Sequence, residues 1–144
     1  MLVSQILKTK PTADIATIPP EASLAEAAKQ LSARRIGCLV VTSDDLQVAG
    51  MLSERDIVRE IGRHGPSVLG QPVASVMTRA VMTCRPEDEA ADVAGRMTEG
   101  RFRHMPVTDG ERMVGLISIG DVVKARLSEL AMEKQALEGM IMGH

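Results

Sequence analysis

Aromatic residues are nearly absent from this sequence of 144 residues, which has one phenylalanine, no tyrosine and no tryptophan. Proteins that bind single-stranded nucleic acids stack the bases on aromatic rings, so this sequence gives that function little support. The formal net charge of -2 also lacks the basic excess that duplex binding requires. We therefore expect no nucleic-acid partner.

Long apolar runs are lacking as well. Runs such as residues 38–41 are far shorter than the roughly 18 residues of a membrane span. The N-terminal stretch MLVSQILKTKPT has no apolar core followed by a cleavage site. The two cysteines, Cys38 and Cys84, lack CxxC spacing, which favours small buried side chains in a reducing compartment. We expect a cytoplasmic protein with no metal site and no membrane partner.

Motifs of catalysis are missing too. The sequence has no GxxxxGK loop and no HExxH, and the stretch from Gly115 to Gly120 reads GLISIG, which is not a GxSxG elbow. His64 lies in a glycine-containing connector and His144 ends the sequence, so no histidine-based triad is indicated. We expect a protein that is not an enzyme, with no catalytic residues and no catalytic cofactor.

An internal repeat is the main feature that is present. The stretch GMLSERDIVR at residues 50–59 recurs as GLISIGDVVK at residues 115–124, an offset of 65. Upstream of the first copy's turn at Ser43, Asp44 and Asp45 the offset is 66, so the two turns differ by one residue. Loops tolerate such differences. The sequence therefore contains two copies of one unit.

Each copy predicts a strand, a helix, two strands joined by a turn, and a second helix. The expected elements are residues 15–18, 23–34, 38–43, 47–52 and 53–61, then 81–84, 88–100, 104–108, 112–117 and 118 onward. The segments CLVV and VAGML alternate little, so helices should cover both faces of the strands. This predicts an α/β fold of the α+β type, in which two small units pack about a pseudo-twofold axis. The expected division is repeat 1 at 4–64, connector at 65–75, repeat 2 at 76–127 and a helical extension at 128–144.

The second copy's last helix runs on to about residue 141. Apolar residues recur along it at helical spacing, interrupted by Lys134; they are Val123, Leu127, Leu130, Leu137 and Ile141. The stripe is compatible with packing on the protein's own core or with a dimer or partner helix. The spacing does not choose between them.

The repeated junction pairs a serine with an aspartate three residues later, as Ser53 with Asp56 and Ser118 with Asp121. This spacing fits a capping box. It also suits ligand binding, because a helix N-terminus attracts anions and a carboxylate can accept hydrogen bonds from sugar hydroxyls. The glycines at positions 50 and 115 would let backbone or ligand come close.

The pattern G-x-[LI]-S-x-x-D-[IV]-V, present twice, and the stretch FRHMPV resemble a tandem pair of CBS domains over about residues 4–127. The resemblance implies that the copies pack through their sheets. It also implies that AMP, ADP, ATP, NAD or S-adenosylmethionine binds in two clefts between them, as the signal of a regulatory sensor. It further implies a homodimer shaped like a flat disk, with an unidentified protein partner. A structural interaction module with empty clefts is the alternative.

The resemblance also implies two sets of ligand-binding residues. The first cleft would comprise Met51, Ser53, Arg55, Asp56, Met82, Thr83, Phe102, Arg103, His104 and Pro106. The second would comprise Thr17, Ile18, Gly37, Cys38, Leu116, Ser118 and Asp121. Each aspartate would hold a ribose. Arg103 and His104 would reach phosphate in the first cleft, where the second has Gly37 and Cys38, so the first should prefer phosphorylated ligands.

Overall fold

The computed structural model describes residues 1–10, 15–44 and 47–142. Within these ranges it contains α1 (Val3–Thr9), β1 (Thr17–Ile18), α2 (Leu24–Arg34), β2 (Cys38–Val41), β3 (Gly50–Ser53), α3 (Glu54–His64), α4 (Ala90–Gly100), β4 (His104–Asp109), β5 (Arg112–Ser118) and α5 (Ile119–Ile141). Two short 3₁₀ turns, Pro66–Gly70 and Val73–Ser75, join the halves. Among the described helices, none combines the length and apolarity that crossing a membrane would need. Asp45, in the predicted turn, and residues 143–144 lie outside the described residues.

The first half forms a three-stranded sheet in the order β1, β2, β3. β1 runs parallel to β2, and β3 runs antiparallel to it. All four residues of the central strand β2 are buried, as the unbroken run CLVV predicts. The preceding helix begins where the Ser23 side chain accepts a hydrogen bond from the Glu26 amide. It ends at Arg35, which adopts a left-handed conformation.

The predicted strand at residues 81–84 is wrong. Only Cys84 forms a parallel bridge, to Val107, and the described second sheet consists of β4 and β5. In the first half the Val40 amide donates to the Ala16 carbonyl at 3.0 Å. The residue equivalent to Val40 is Pro106, which has no N-H to donate, so the pairing cannot extend back to Met82.

Two hydrophobic cores form, and each is completed by a segment that precedes the other repeat. The first core includes Val73 and Met77, which belong to the linker between the halves, residues 65–78. The second core includes Val3 and Ile6 of α1. Helix α1 was not predicted from the sequence. It is equivalent to the second 3₁₀ turn, because Val3 and Val73 both follow a residue that bridges to the start of a helix. The α1 and linker segments therefore cross between the two halves.

The glycines of the repeated motif lie where these crossing segments touch the sheets. A Cβ atom on Gly50 would lie 2.6 Å from the Met77 sulfur and 2.9 Å from the Thr78 carbonyl oxygen. A Cβ on Gly115 would lie 2.8 Å from a methyl carbon of Leu7. Close approach of backbone is thus confirmed at Gly50, whereas at Gly115 the group that comes close is a side chain.

Helix α5 is continuous from Ile119 to Ile141, as the repeat analysis predicts for this region. Its apolar stripe does not pack on the protein's own core, so that interpretation is wrong. The exposed fractions are 52% for Val123, 63% for Leu127, 44% for Leu130, 59% for Leu137 and 85% for Ile141. The buried residue of the helix is Val122, which lies on another face.

Candidate functional site

Both strand-to-helix junctions form complete capping boxes. The Ser53 amide donates to Asp56 Oδ2 at 2.9 Å, and the Asp56 amide donates to Ser53 Oγ at 3.3 Å. At the second junction the corresponding distances between Ser118 and Asp121 are 2.9 and 3.1 Å. The capping interpretation is therefore confirmed at both sites.

The first turn of each helix keeps few unpaired amides. The Glu54 amide donates to the Gly37 carbonyl, and the Ile119 amide donates to the Arg103 carbonyl, both at 2.9 Å. In each helix the N-cap serine accepts a hydrogen bond from the amide of the third residue. The amide of the second residue, Arg55 in α3 and Gly120 in α5, is therefore the one in these three positions that has no acceptor among the described residues. Each helix thus offers an anion one amide and not a cluster of them.

Each carboxylate also has a cation beside it, but the two cations come from different places. Asp56 Oδ1 accepts a hydrogen bond from Arg59 Nη1 at 3.0 Å, one turn along the same helix. Asp121 Oδ2 accepts one from Lys10 Nζ at 2.9 Å, across 111 residues. The Asp56 side chain is 13% exposed and that of Asp121 is 23% exposed. Both carboxylates are accessible only in part.

Lys10 makes a second contact that marks the difference between the halves. Its ammonium group donates to the Leu116 carbonyl at 2.9 Å. The equivalent carbonyl, that of Met51, instead accepts the backbone amide of Thr78 at 2.9 Å. A side-chain cation thus takes the place of a backbone bridge at the second junction. Sequence reasoning missed Lys10 and Arg59.

Electrostatics link Asp121 with His104, which lies opposite Ser118 in the sheet. Burial raises the pKa of Asp121, but hydrogen bonds from Lys10 and Ser118 outweigh it and leave the pKa lowered. The pKa of His104 is lowered, first by burial and then by Lys10 and Arg103, against the opposing effect of Asp121. The assignment of His104 to the same cleft as Asp56 stays a prediction.

The cysteines lie in the sheets as small buried residues, which confirms their predicted burial. Cys38 lies opposite Ser53, and burial together with the Asp56 charge raises its pKa to about 12. Burial raises the pKa of Cys84 to about 11. Since the thiolate is the reactive form, neither thiol is activated as a nucleophile or a metal ligand.

The other predicted residues fall into three environments. Exposed positions are Arg55, Arg103 and Met82, the last 44% exposed. Half-buried positions are Thr17, Gly37, Met51, Thr83, Phe102 and Leu116. Ile18 and Pro106 are buried. Met82 is exposed, although a methionine is by default a core residue. It lies two residues before Cys84, which forms the one bridge of this segment.

Two grooves of the described surface lie away from the two carboxylates. One groove of about 550 Å³ lies between α2 and α3, with Leu31, Ile57 and Val58 in its lining. Another, of about 480 Å³, lies beside the linker. Neither is lined by Asp56 or Asp121. In the part of the chain that the structure describes, no group of acidic, histidine or cysteine side chains could hold a metal ion.

The sequence profile of the CBS domain matches residues 3–63 and 73–128. The chain belongs to the CBS domain family. Its two matches begin at Val3 and Val73, the residues that the fold makes equivalent. The CBS fold is thereby confirmed, with two repeats, small sheets and a C-terminal helix.

Relatives of this CBS domain pair include proteins of similar and of greater length. A CBS-domain protein structure from Agrobacterium tumefaciens is 42% identical with a TM-score of 0.82, covering 88% of this chain and 99% of that one. A CBS domain protein from Pyrobaculum aerophilum, in complex with AMP, is 28% identical with a TM-score of 0.75, covering 92% and 99%. A mitochondrial CBS domain protein of Arabidopsis thaliana is 36% identical over 122 residues, 82% of this chain. This chain spans 59% of that relative and 22% of three further Arabidopsis relatives.

Proposed function

We propose that this CBS domain pair is a regulatory module that binds an adenosine ligand, with Asp56 and Asp121 accepting hydrogen bonds from ribose hydroxyls. The observation that carries the proposal is the duplicated strand-to-helix junction with a carboxylate at the third helical position. The AMP complex of a 28% identical family member supports it. AMP, ADP, ATP and NAD are the candidate ligands.

Capping and sugar binding are compatible, because a carboxylate can accept about four hydrogen bonds. Asp121 uses Oδ2 for both Ser118 and Lys10, and no described residue donates to its Oδ1. A ribose hydroxyl can therefore bond to Oδ1 without breaking the cap. At Asp56 the hydroxyl would take the place of Arg59 on Oδ1.

The phosphate of the ligand would bind where cations are concentrated. The two predicted sets of cleft residues remain our assignment, with Arg103 and His104 serving the Asp56 cleft. Lys10, whose ammonium group lies 2.9 Å from Asp121, and His104, which lies opposite Ser118 in the sheet, favour a second possibility, that phosphate binds at the Asp121 junction. AMP and unphosphorylated adenosine, compared on the two aspartate variants, separate these possibilities.

We further propose that the module is not an enzyme, that it acts in the cytoplasm, and that it signals by changing its own arrangement, its self-association as a homodimer, or its affinity for a protein partner. Ligand binding can shift such an equilibrium only through different affinities for the two arrangements. Two buried free cysteines are compatible with a reducing compartment. Incubation with the same nucleotides should give no turnover products.

A thermal-shift panel tests the proposal, with AMP, ADP, ATP, NAD, S-adenosylmethionine and adenosine. A ligand at one hundred times its dissociation constant should stabilise the protein by about 2.7 kcal/mol. Asp56→Ala and Asp121→Ala should each reduce that increment. Ser23→Ala is the control, because it removes the serine cap of α2 and lies outside both predicted sets of cleft residues, so the ligand increment should stay unchanged. If no compound shifts the unfolding of the unsubstituted protein, the sensor function is wrong.

A structural interaction module with empty clefts is the second candidate. The observation in its favour is that the grooves of about 550 and 480 Å³ are lined by neither carboxylate. It predicts no thermal shift with any nucleotide. It also predicts that Ser53→Ala lowers stability through the cap alone, and that Asp56→Ala lowers it somewhat more, since Asp56 also accepts a hydrogen bond from Arg59.

A further inference from the structure

Helix α5 presents two different faces. Val122 and Ala125 pack on the second core, and Glu129 contacts the N-terminal ammonium group at 3.4 Å. At 100° per residue, the stripe of Val123, Leu127 and Leu130 lies about 135° around the helix from that face. The stripe therefore points away from the body of its own chain.

The second half of the helix has little to stabilise it within the chain. Every residue from 131 to 138 is exposed, although the helix continues to Ile141. An isolated helical segment of this length is marginal in water, because helix stability in proteins comes mostly from packing of an apolar face. Leu137 and Ile141 continue the stripe along this part, 59% and 85% exposed. The stripe is thus an apolar surface that the described chain leaves uncovered.

The spacing of the stripe is that of a coiled-coil seam. Positions 123, 127, 130, 134, 137 and 141 alternate steps of four and three residues, and Lys134 occupies one of them. In a parallel pair each seam residue meets its own copy, so two Lys134 ammonium groups would face each other in an apolar seam. The flanking Glu133 would also lie beside Glu138 of the second helix. Both contacts are repulsive.

An antiparallel pair removes these repulsions. Val123 then lies opposite Ile141, Leu127 opposite Leu137 and Leu130 opposite Lys134, and all three pairings share one midpoint at residue 132. Every seam residue therefore has a partner about a single twofold axis. On the flank of the seam, Lys124 of each helix comes beside Glu138 of the other.

We propose that the stripe of α5 is an interface for a second copy of this chain, with the two α5 helices packed antiparallel about an axis at Met132. The exposed half of each helix is covered by the anchored half of the other. Two Glu133 side chains approach the axis, where Arg126 of the same helix, at 3.9 Å, and Lys134 of the second copy balance their charge. This interface is a surface for self-association, and its formation does not require a bound nucleotide.

The first test compares Leu127→Asp with Met132→Asp in sedimentation velocity. The two side chains are matched in exposure, 63% and 64%, and lie on the same helix, but Met132 is outside the seam. Leu127→Asp should raise the dissociation constant of the α5 interface more than a hundredfold, so the species that forms through this interface should disappear from the sedimentation profile. Met132→Asp should leave the profile unchanged. Circular dichroism would show that both variants fold. An unchanged assembly in Leu127→Asp, or a monomeric unsubstituted chain, would overturn the proposal.

The second test uses charge exchange. Lys124→Glu should raise the dimer dissociation constant roughly tenfold, and so should Glu138→Lys, because attraction becomes repulsion. The double variant should restore association. Residues 124 and 138 are about 21 Å apart along one helix, so the rescue must act between chains. Without rescue, the antiparallel register is wrong.

Cysteine cross-linking fixes the orientation. A mixture of Leu127→Cys and Leu137→Cys chains should form a disulfide-linked dimer on oxidation, and each variant alone should not. The native Cys38 and Cys84 are buried and provide no background. Efficient cross-linking of Leu127→Cys alone would indicate parallel helices and refute the arrangement. Nucleotide-induced thermal shifts, measured on the same variants, report separately on the proposed sensor function.

Discussion

The contact between Lys10 and Asp121 can be tested by Lys10→Met, which keeps the length of the side chain and removes its charge. A charge-assisted hydrogen bond contributes about 1.5–3 kcal/mol when buried, and an exposed ion pair less than about 1 kcal/mol. The two side chains are 31% and 23% exposed, which places the pair between these limits. We therefore expect the variant to lose about 1 kcal/mol of unfolding free energy at pH 7, or about 3 °C in Tm for a chain of this size.

The pH dependence identifies the cause of this loss. The pKa of Asp121 in the folded protein lies below its ordinary value of 3.8, so the stability that follows from it is present above that value. It is lost as the pH falls through the lower, folded pKa. The difference between the variant and the unsubstituted protein should therefore shrink to a few tenths of a kcal/mol in strong acid.

Urea unfolding, followed by circular dichroism at a series of pH values, measures this difference. Lys8→Met is the control, because Lys8 is exposed at the end of the same helix and makes no described ion pair. It should change stability by less than about 0.5 kcal/mol at any pH. An equal loss for Lys10→Met at pH 7 and in strong acid would show that the carboxylate is not responsible.

Three further predictions follow from the packing and the titrating groups. Gly50→Ala should cost about 2–3 kcal/mol and Gly115→Ala about 1 kcal/mol in urea unfolding, because the added Cβ meets a backbone carbonyl in the first case and the flexible end of a leucine in the second. The pKa of His104 lies below its ordinary value of 6.5, so the protein should lose stability as the pH falls below 6.5, and His104→Gln should lose less between pH 7 and 5 in the same assay. Cys38 and Cys84 should react with a thiol reagent at pH 8 only after unfolding, as followed by absorbance.

The parts of the fold that depend on local sequence could be predicted. The serine caps at positions 23, 53 and 118 place three helix starts, and the unbroken apolar run places the buried strand. The predicted strand at residues 81–84 does not form because one of the residues that it would pair with is Pro106. A proline restricts strand pairing only where its N-H would have been needed, and that requires the register between strands. Periodicity within one segment does not contain this information.

The candidate site was predictable in its repeated part, whereas the asymmetry that Lys10 introduces at Asp121 was not. The serine and aspartate spacing predicts both capping boxes and the placement of both carboxylates. Lys10 reaches Asp121 only because α1 crosses to the second repeat. The signal for this crossing is the likeness of VSQILKT to VASVMTR at an offset of 70, which differs from the offset of 66 between the repeats. It is short and weak beside the main repeat.

The crossing segments connect each junction with the other repeat, and a ligand bound as proposed would act on them. The Asp121 junction is held by Lys10, which continues from a helix in the second core and leads along the chain into the first repeat. The first junction is bridged at Met51 by Thr78, which leads along the chain into the second repeat. A ligand that changes either contact therefore acts on a segment joining the two halves. Because this segment is also packed in a core, the response should be a shift between whole arrangements of the repeats and not a local adjustment at one cleft.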